Sequence, residues 1–326
     1  MSRILAVLQI MRVALALTAV ADVWTLMLLK LPGQPALKDR IIQLALAGLA
    51  SFFLYSFGMV LNDLLDSRRD RLFAPWRPIP SGRLSIPGAI VLSLVLMLLG
   101  LFSAALLSWF EPSSFPIALM LAMAICLMIV FYNAAGKFLG YVGFIAMGLI
   151  RGVNCLLGRP SADFFILSLF LFTHIAVASA ISYRLESKRP RLRVAGIWQL
   201  LAGVGLIDAL AAALMLWRGN ITQAMLSDTA GPAAVALLYF GWVLRQIFHH
   251  QEAPRKRGER IMLVGLFTLF AYDGALLAAN RSFRGMALIL ALGAISYMTF
   301  WAMRWAGKGI MVGRPRYRIR SGGLGI

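Results

Sequence analysis

The chain is organised around the stretch from Gly58 to Gly82, GMVLNDLLDSRRDRLFAPWRPIPSG. This stretch ends a long apolar run with three aspartates, Asp63, Asp66 and Asp70, and Asn62 directly precedes the first of them. Positions three and four apart share one face of a helix, so all four side chains are predicted to lie together. Carboxylate oxygens are hard ligands of the kind that Mg²⁺ prefers, and this face is therefore a candidate magnesium site.

A short turn follows the aspartates. Seven residues after Asp70 comes Arg77, and then Pro-Ile-Pro-Ser-Gly over residues 78–82. Two prolines and a glycine predict a shaped turn, not a continued helix. Such a turn can place the Arg77 guanidinium opposite the carboxylates, where a metal-bound phosphate needs positive charge.

The composition is that of a membrane protein. Of the 326 residues, 60% are hydrophobic and 14% are charged, and the mean hydropathy is +0.81. These values exclude an ordinary soluble domain and indicate a polytopic helical membrane protein. The net charge of +19 is therefore assigned to loops facing anionic lipid, and no nucleic-acid partner is expected.

Apolar runs predict ten helices and place one side of the membrane. The N-terminal run continues to Leu31 without a small-residue cleavage site, so it is expected to be a retained first span, not a signal peptide. If the helices alternate, 24 Lys and Arg residues fall on one side and seven on the other. This bias predicts that both termini and the aspartate loop are cytoplasmic, in what we expect to be a bacterial inner membrane. The predicted helices are 4–29, 41–61, 85–109, 115–133, 139–157, 162–182, 194–217, 230–248, 260–280 and 284–305.

Several ionisable or polar side chains fall inside these apolar segments, where they are costly and are by default functional hypotheses. For Asp22 and Arg151 the sequence leaves two alternatives open, a role in a substrate pocket and a structural ion pair. Asn154 follows Arg151 by three residues and is a candidate for the same pocket. His174 is expected to be a satisfied core histidine, and Asp273 a structural residue.

The motif of residues 62–82 resembles the first aspartate-rich motif of the UbiA family, the membrane-embedded prenyltransferases. The stretches ADV at 21–23, RGVNCLLG at 151–158 and ISYRLE at 181–186 are similar to its EboC-like branch. The resemblance implies an all-α, polytopic transmembrane helical bundle, with a nine-helix UbiA-type core and here a tenth helix. The expected organisation is one membrane domain over 1–305 and a basic flexible tail over 306–326.

The second motif of the family is depleted in this chain. The family has a DxxxD-type sequence at the end of helix six, and the matching positions here hold Ser182 and Glu186. A second magnesium ion would therefore have one strong protein ligand. In the family a tyrosine near the end of helix four precedes a lysine by four residues, whereas Tyr132 precedes Lys137 by five.

The resemblance implies Mg²⁺-dependent transfer of a prenyl group from an allylic prenyl diphosphate to an aromatic or other lipophilic acceptor within the membrane. The ligands of Mg²⁺ would be Asn62, Asp63, Asp66, Asp70 and Glu186, with the three aspartates as catalytic residues. The diphosphate would be bound by Arg77, Lys137 and Arg184. The rest of the substrate site would comprise Tyr132, Tyr183, Arg151, Asn154 and Asp22, of which Asp22 would orient the acceptor.

Two other functions stay open from the sequence. One keeps the fold and transfers a glycosyl or phosphoribosyl-type group to or from a polyprenyl phosphate. The other is binding or transport of an isoprenoid without catalysis, which the missing carboxylate at position 182 motivates.

Overall fold

The computed structural model describes residues 2–29, 40–110, 116–159, 165–186, 191–217, 223–248 and 252–311. The described residues form twelve α-helices, and no strand occurs among them. The helices are α1 (Ser2–Ile10), α2 (Val13–Leu28), α3 (Ile41–Leu65), α4 (Ser67–Phe73), α5 (Ile86–Phe110), α6 (Ile117–Ala134), α7 (Tyr141–Leu156), α8 (Phe165–Leu185), α9 (Val194–Trp217), α10 (Gln223–Phe248), α11 (Pro254–Ala279) and α12 (Phe283–Met311).

All ten predicted segments are helical. Within the described ranges, eight helices are long and apolar enough to cross a membrane, and α1 with α2 passes the same test as one span bent by 42°. The one remaining predicted segment, 139–157, corresponds to α7, a shorter apolar helix of 16 residues. The last helix belongs to the bundle, since α12 packs against both α2 and α11.

Helix α2 occupies the centre of the bundle. It packs against α3 on one side and against α7, α11 and α12 on the other. Small side chains such as Ala14, Ala16, Ala19 and Ala21 are buried along it, which lets the neighbouring helices approach closely. Apolar side chains on the outer helices are exposed instead, among them Leu98 at 60% and Leu206 at 60%. Such surfaces are stable against lipid tails and not against water, and the chain is an integral membrane protein.

The helical path breaks at two places, inside the first predicted helix and four residues beyond the predicted end of the second. The first span breaks at Arg12, whose backbone is left-handed with φ 51° and ψ 46°. The second ends at Leu65, because Asp66 leaves helical geometry with φ −83° and ψ 0° before α4 begins. Both breaks lie at the aspartate end of the bundle.

The boundary predicted for the tail differs from the structure. Helix α12 runs to Met311, six residues past the expected domain end at 305. Residues 312–326, which make up most of the predicted basic tail, lie outside the described ranges.

Candidate active site

The three aspartates do not share one helix face, because the chain breaks between them. Asp63 is on the last turn of α3, Asp66 is at the junction, and Asp70 is on α4. Asp63 and Asp70 are buried, with 5% and 7% of their surface exposed. Over the ranges that the structure describes, no group of three or more His, Cys, Asp or Glu side chains is gathered closely enough to hold a metal ion.

Each aspartate is instead paired with a cation. Arg77 bridges two of them, with Nη1 3.2 Å from Asp63 Oδ1 and 2.6 Å from Asp70 Oδ2. Asp66 Oδ1 accepts a hydrogen bond of 2.7 Å from the Lys137 ammonium. Three carboxylates are thus balanced within the protein by basic side chains from other segments.

A third basic residue, Arg12, completes this network. Its Nη2 lies 3.4 Å from Asp63 Oδ1, so Asp63 faces two guanidinium groups. Sequence reasoning counted Arg12 only as a topology signal. Its position at a helix break with left-handed backbone, a conformation unfavourable for a residue with a Cβ, is the structural signal of a special role.

The loop after α4 is held rigid, which fixes Arg77. Ser81 N donates to Arg77 O at 3.0 Å and Leu84 N donates to Pro78 O at 3.1 Å, while Pro78 is buried. Arg83 ties the loop to the first helix, because its Nη1 donates to Gln9 Oε1 at 2.6 Å. The predicted shaped turn is confirmed.

Burial and nearby charges shift the pKa values of Asp70 and Arg77. Burial raises the pKa of the Asp70 carboxyl, and the nearby Arg77 guanidinium offsets part of that rise. Partial burial lowers the pKa of Arg77, but Asp63 and Asp70 raise it by more, so it ends above its usual value. The arginine is therefore a permanent cation beside the carboxylates.

Lys137 reaches Asp66 because of the turn after α6. Helix α6 ends at Ala134 and a 3-10 turn over Gly136–Phe138 carries the lysine. The start of α7 packs directly on this turn: a Cβ at Gly143 would lie 2.7 Å from the carbonyl oxygen of Gly136. The five-residue spacing from Tyr132 does not prevent Lys137 from pairing with the motif.

The end of α8 lies at the same end of the bundle. Tyr132 on α6 interacts electrostatically with Asp66, Arg12 and Tyr183, and Tyr183 with Arg69. Both tyrosines are half-buried, and the Tyr183 ring packs edge-on against Phe144 with centroids 5.3 Å apart.

The depleted second motif is well ordered. The Ser182 hydroxyl lies 2.8 Å from Glu186 Oε1 and 2.9 Å from the carbonyl oxygen of Gly258, and it donates to them. Helix α11 approaches closely here, since a Cβ at Gly258 would lie 2.8 Å from Ser182 O. Arg184 lies on the last turn of α8, two residues before Glu186, and is exposed.

A stripe of four partly buried side chains on α3 points into the bundle. Phe52, Tyr55, Met59 and Asn62 recur at three- and four-residue intervals and are each half-buried. Tyr55 interacts electrostatically with both Arg12 and Arg151, which come from different sides of the interior. Side chains that face the interior and still have accessible surface indicate space inside the bundle, leading up to Asp66.

A separate groove of about 380 Å³ lies between α3, α5 and α6. Its lining includes Leu61, Leu64 and Leu65 on α3, together with Ile90 and Met97 on α5. Successive residues turn by about 100° on a helix, so these leucines point away from Asp63. The groove is apolar and does not contain the carboxylates.

Three of the polar residues predicted inside the membrane, Asp22, Arg151 and Asn154, have partners within the protein. Arg151 Nε forms an ion pair with Asp22 Oδ2, and both side chains are buried. Asn154 Nδ2 donates to the carbonyl oxygen of Ala19 at 3.2 Å. Of the two alternatives for Asp22 and Arg151, the structure therefore shows the ion pair.

The expectation for His174 is also met. Its Nδ1 lies 3.1 Å from the hydroxyl of Tyr272, and its Nε2 lies 3.0 Å from the carbonyl oxygen of Gly265. A carbonyl can only accept, so Nε2 carries the proton and Nδ1 accepts from the tyrosine. The histidine is a satisfied core residue.

Comparison with known proteins places this site in a family. A model of the UbiA prenyltransferase family matches residues 14–264. The chain belongs to the UbiA prenyltransferase family. This confirms the resemblance read from residues 62–82, while the EboC-like branch stays a prediction.

Solved structures share the fold of this UbiA-family chain. A digeranylgeranylglyceryl phosphate synthase structure is 18% identical, with a TM-score of 0.57 over 86% of this chain and 99% of its own. A UbiA homolog from Archaeoglobus fulgidus bound to GPP and Mg²⁺ is 15% identical, with a TM-score of 0.57 over 84% of this chain and 99% of its own. At these identities the likeness establishes the fold.

Curated relatives match shorter segments. The digeranylgeranylglyceryl phosphate synthase of Methanococcus vannielii is 46% identical over 61 residues, 19% of this chain and 22% of that protein. The synthase of Haloquadratum walsbyi is 31% identical over 134 residues, 40% of this chain and 44% of that protein. The matches thus span less than half the length of these relatives.

Proposed function

We propose that the protein transfers a prenyl group from an allylic prenyl diphosphate to a lipophilic acceptor within the membrane, with the aid of Mg²⁺. The observation that carries the proposal is the network of Asp63, Asp66 and Asp70 with Arg12, Arg77 and Lys137 at one end of an apolar bundle. Equal numbers of carboxylates and cations can bind a metal ion and an anionic group side by side.

Two of the carboxylates fit a magnesium ion that takes its other ligands from water and from substrate phosphate, as Mg²⁺ usually does. Arg77 Nη1 marks a position with a carboxylate oxygen of Asp63 on one side and of Asp70 on the other. A positive charge is stabilised there, and the donors are oxygens, as Mg²⁺ requires. Asn62, Asp63, Asp66 and Asp70 would hold the ion, and Glu186 would serve a second one from α8. Bound there, Mg²⁺ supplies Lewis-acid stabilisation of charge on a phosphate oxygen.

Binding requires the cations to exchange partners. In the structure Arg12, Arg77 and Lys137 face carboxylates. A diphosphate would give the same side chains oxygens of higher charge and would leave the carboxylates for metal. We propose that Arg184, on the last turn of α8, joins them. The leaving group is then surrounded by fixed positive charge, which lowers the barrier to breaking the allylic C–O bond.

The prenyl tail is assigned to the interior stripe of α3. Phe52, Tyr55 and Met59 continue from Asn62 toward the middle of the bundle, and Tyr132 and Tyr183 flank its mouth. The faces of the tyrosine rings would stabilise the allylic cation that forms near the carboxylates. The acceptor would approach the same space and lose its proton after attack.

The acceptor is not assigned to Asp22. That carboxyl is 0% exposed and forms an ion pair with Arg151, so it lacks a free face for a substrate. The proposed acceptor is an aromatic or other lipophilic compound. Glyceryl phosphate lipids belong among the candidates, since the curated relatives are named for a digeranylgeranylglyceryl phosphate.

We propose that the site and both termini are cytoplasmic. The positive-inside bias supports this orientation, and the six charged side chains of the site cluster at one end of the bundle. Protease accessibility of the 74–85 loop in sealed inner-membrane vesicles of known orientation tests this assignment.

Pyrophosphate release tests the activity. Purified protein in detergent is given Mg²⁺, prenyl diphosphates of several lengths, and aromatic or glyceryl phosphate acceptors. We expect release that needs Mg²⁺, is lost in Asp66→Ala, and persists in Asp208→Asn, which changes a carboxylate on α9 that bonds Thr173. Donor binding without release from any donor would favour the binding or transport function. Product from a sugar-phosphate donor instead would favour the polyprenyl-phosphate transferase.

A further inference from the structure

A second charged cluster lies in the middle of the bundle, outside the candidate active site. Asp22 on α2, Arg151 on α7 and Asp273 on α11 come together there, and both aspartates are 0% exposed. Arg151 forms an ion pair with Asp22, and the carboxyl groups of Asp22 and Asp273 interact directly with each other. The proposed transfer reaction does not use any of the three.

The cluster has one negative charge too many for its surroundings. Two carboxylates face one guanidinium among the apolar residues of α2, α7, α8 and α11. Uncompensated charge is expensive within a membrane, and like-charged carboxylates in contact repel each other. The arrangement is therefore stable only with one further positive charge.

Three of the four carboxylate oxygens of the cluster lack a hydrogen-bond donor. They are both oxygens of Asp273 and Oδ1 of Asp22, all buried, whereas Oδ2 of Asp22 faces Arg151. Thr25 lies beside Asp273, and its hydroxyl is 2.9 Å from the carbonyl oxygen of Ala21. It has a single proton, and when that proton is given to Ala21 the Thr25 oxygen faces the cluster as an acceptor. Buried polar atoms without partners are rare and mark the place of something bound.

Neighbouring titratable groups do not supply the missing charge. Cys155, His174 and Tyr55 interact electrostatically with the cluster. His174 has both ring nitrogens bonded in a neutral tautomer, and a thiol and a phenol carry no positive charge. Helix α12 packs against α2 and α11, and its Arg284 and Arg304 are both exposed, whereas the cluster is buried.

We propose that Asp22, Asp273 and Arg151 form an intramembrane binding site for one monovalent cation, a proton or an alkali-metal ion. A proton would bridge the two carboxyl groups by an O–H···O hydrogen bond. An alkali-metal ion would lie between their oxygens and that of Thr25. In either case the bound charge joins α2, α7 and α11, and loss of the cation loosens the centre of the bundle.

Thermal unfolding of the full chain in detergent tests the site. Melting temperatures are measured in sodium, potassium and choline chloride at one ionic strength, and over a range of pH. If the cation is an alkali metal, sodium or potassium raises the melting temperature over choline, by roughly 5 °C at about 100 times Kd. If it is a proton, the salts are equivalent and the melting temperature falls as the pH rises, because the folded state alone retains the proton.

Asp273→Asn is the decisive variant, because the amide keeps the shape and removes the surplus charge. We expect it to abolish both responses, while Glu259→Gln, at an exposed carboxylate on α11, keeps the response of the wild type. Equal responses in all three proteins would overturn the proposal. If Asp273→Asn does not fold, the wild type decides: an infrared band of a protonated buried carboxyl, or a sodium effect over choline, supports the site, and the absence of both overturns it.

Discussion

Lys137 Nζ lies 2.7 Å from Asp66 Oδ1, and this contact joins the turn after α6 to the junction of α3 and α4. Both side chains are largely buried, with 13% and 18% of their side-chain surface exposed. The lysine thus occupies a carboxylate that a metal ion would need, and it is positioned to transfer to a phosphate.

Magnesium and diphosphate are therefore expected to bind cooperatively. Mg²⁺ alone must displace Lys137 and Arg77 from carboxylates, whereas the diphosphate gives these cations new partners. Coupling of this kind is typically about 1–3 kcal/mol, or a 5- to 150-fold tightening of Mg²⁺ by pyrophosphate. Titration calorimetry with each ligand, alone and together, measures it. Lys137→Met should tighten Mg²⁺ alone and reduce the coupling, and unchanged coupling would contradict the exchange of partners.

Replacing Arg12 separates backbone strain from charge. Arg12→Ala and Arg12→Gly both remove the contact to Asp63, so both should weaken donor binding. Glycine alone is relaxed in the left-handed conformation at φ 51°. The free energy of unfolding of Arg12→Gly should therefore exceed that of Arg12→Ala by about 1–2 kcal/mol. Denaturation in detergent measures this difference, and equal stability would show that the break at Arg12 is not strained.

Gly143→Ala should disturb the turn that holds Lys137. Its Cβ would meet backbone atoms at 2.7 Å, and a backbone oxygen cannot move aside as a flexible side chain does. We expect a loss of about 1–3 kcal/mol of stability, as in other overpacked sites, together with weaker donor binding. Gly241→Ala is the matched control, because its Cβ would have open space on α10, and helix propensity there favours alanine. A Gly143→Ala protein as stable as this control would contradict the close packing.

Asp70 predicts a pH dependence of stability in the ligand-free protein. Burial raises the pKa of this carboxyl, so the folded state binds its proton more tightly than the unfolded state does. Its contribution is most favourable below the usual carboxyl range and is lost as the pH rises through the pKa of the folded state. Asp70→Asn should flatten this part of the profile of melting temperature against pH. Arg71→Gln, at an exposed neighbour, should leave the profile unchanged.

The sequence predicted the helices well because each membrane span is encoded locally. A run of about twenty apolar residues is enough to identify a span, and all ten segments are helical in the structure. The two breaks were not predicted. Arg12 and Asp66 stand in sequences that continue a helical pattern, and their departures depend on contacts with Asp63 and Lys137 from distant segments.

The charged network was predicted in part. The aspartates and Arg77, with its guanidinium opposite the carboxylates, followed from residue type and spacing, and Lys137 followed from the family resemblance. Arg12 was missed, and nothing in a linear spacing shows that Asp66 faces Lys137, 71 residues away. Asp22, Arg151 and Asp273 were likewise each noticed as costly in a membrane. Their meeting follows from the packing of α2 against α7 and α11, which is a property of the whole bundle.

The contact between Gln9 and Arg83 has a practical consequence for work with this protein. It fastens α1 to the rigid loop that presents Arg77, so the first helix is part of the wall around the charged network. We expect a bulky affinity tag joined ahead of Ser2 to disturb the contact between Gln9 and Arg83. Biochemical comparisons between variants are best made with such a tag placed after α12, because the ion pairs of the charged network are all formed by residues 12–137.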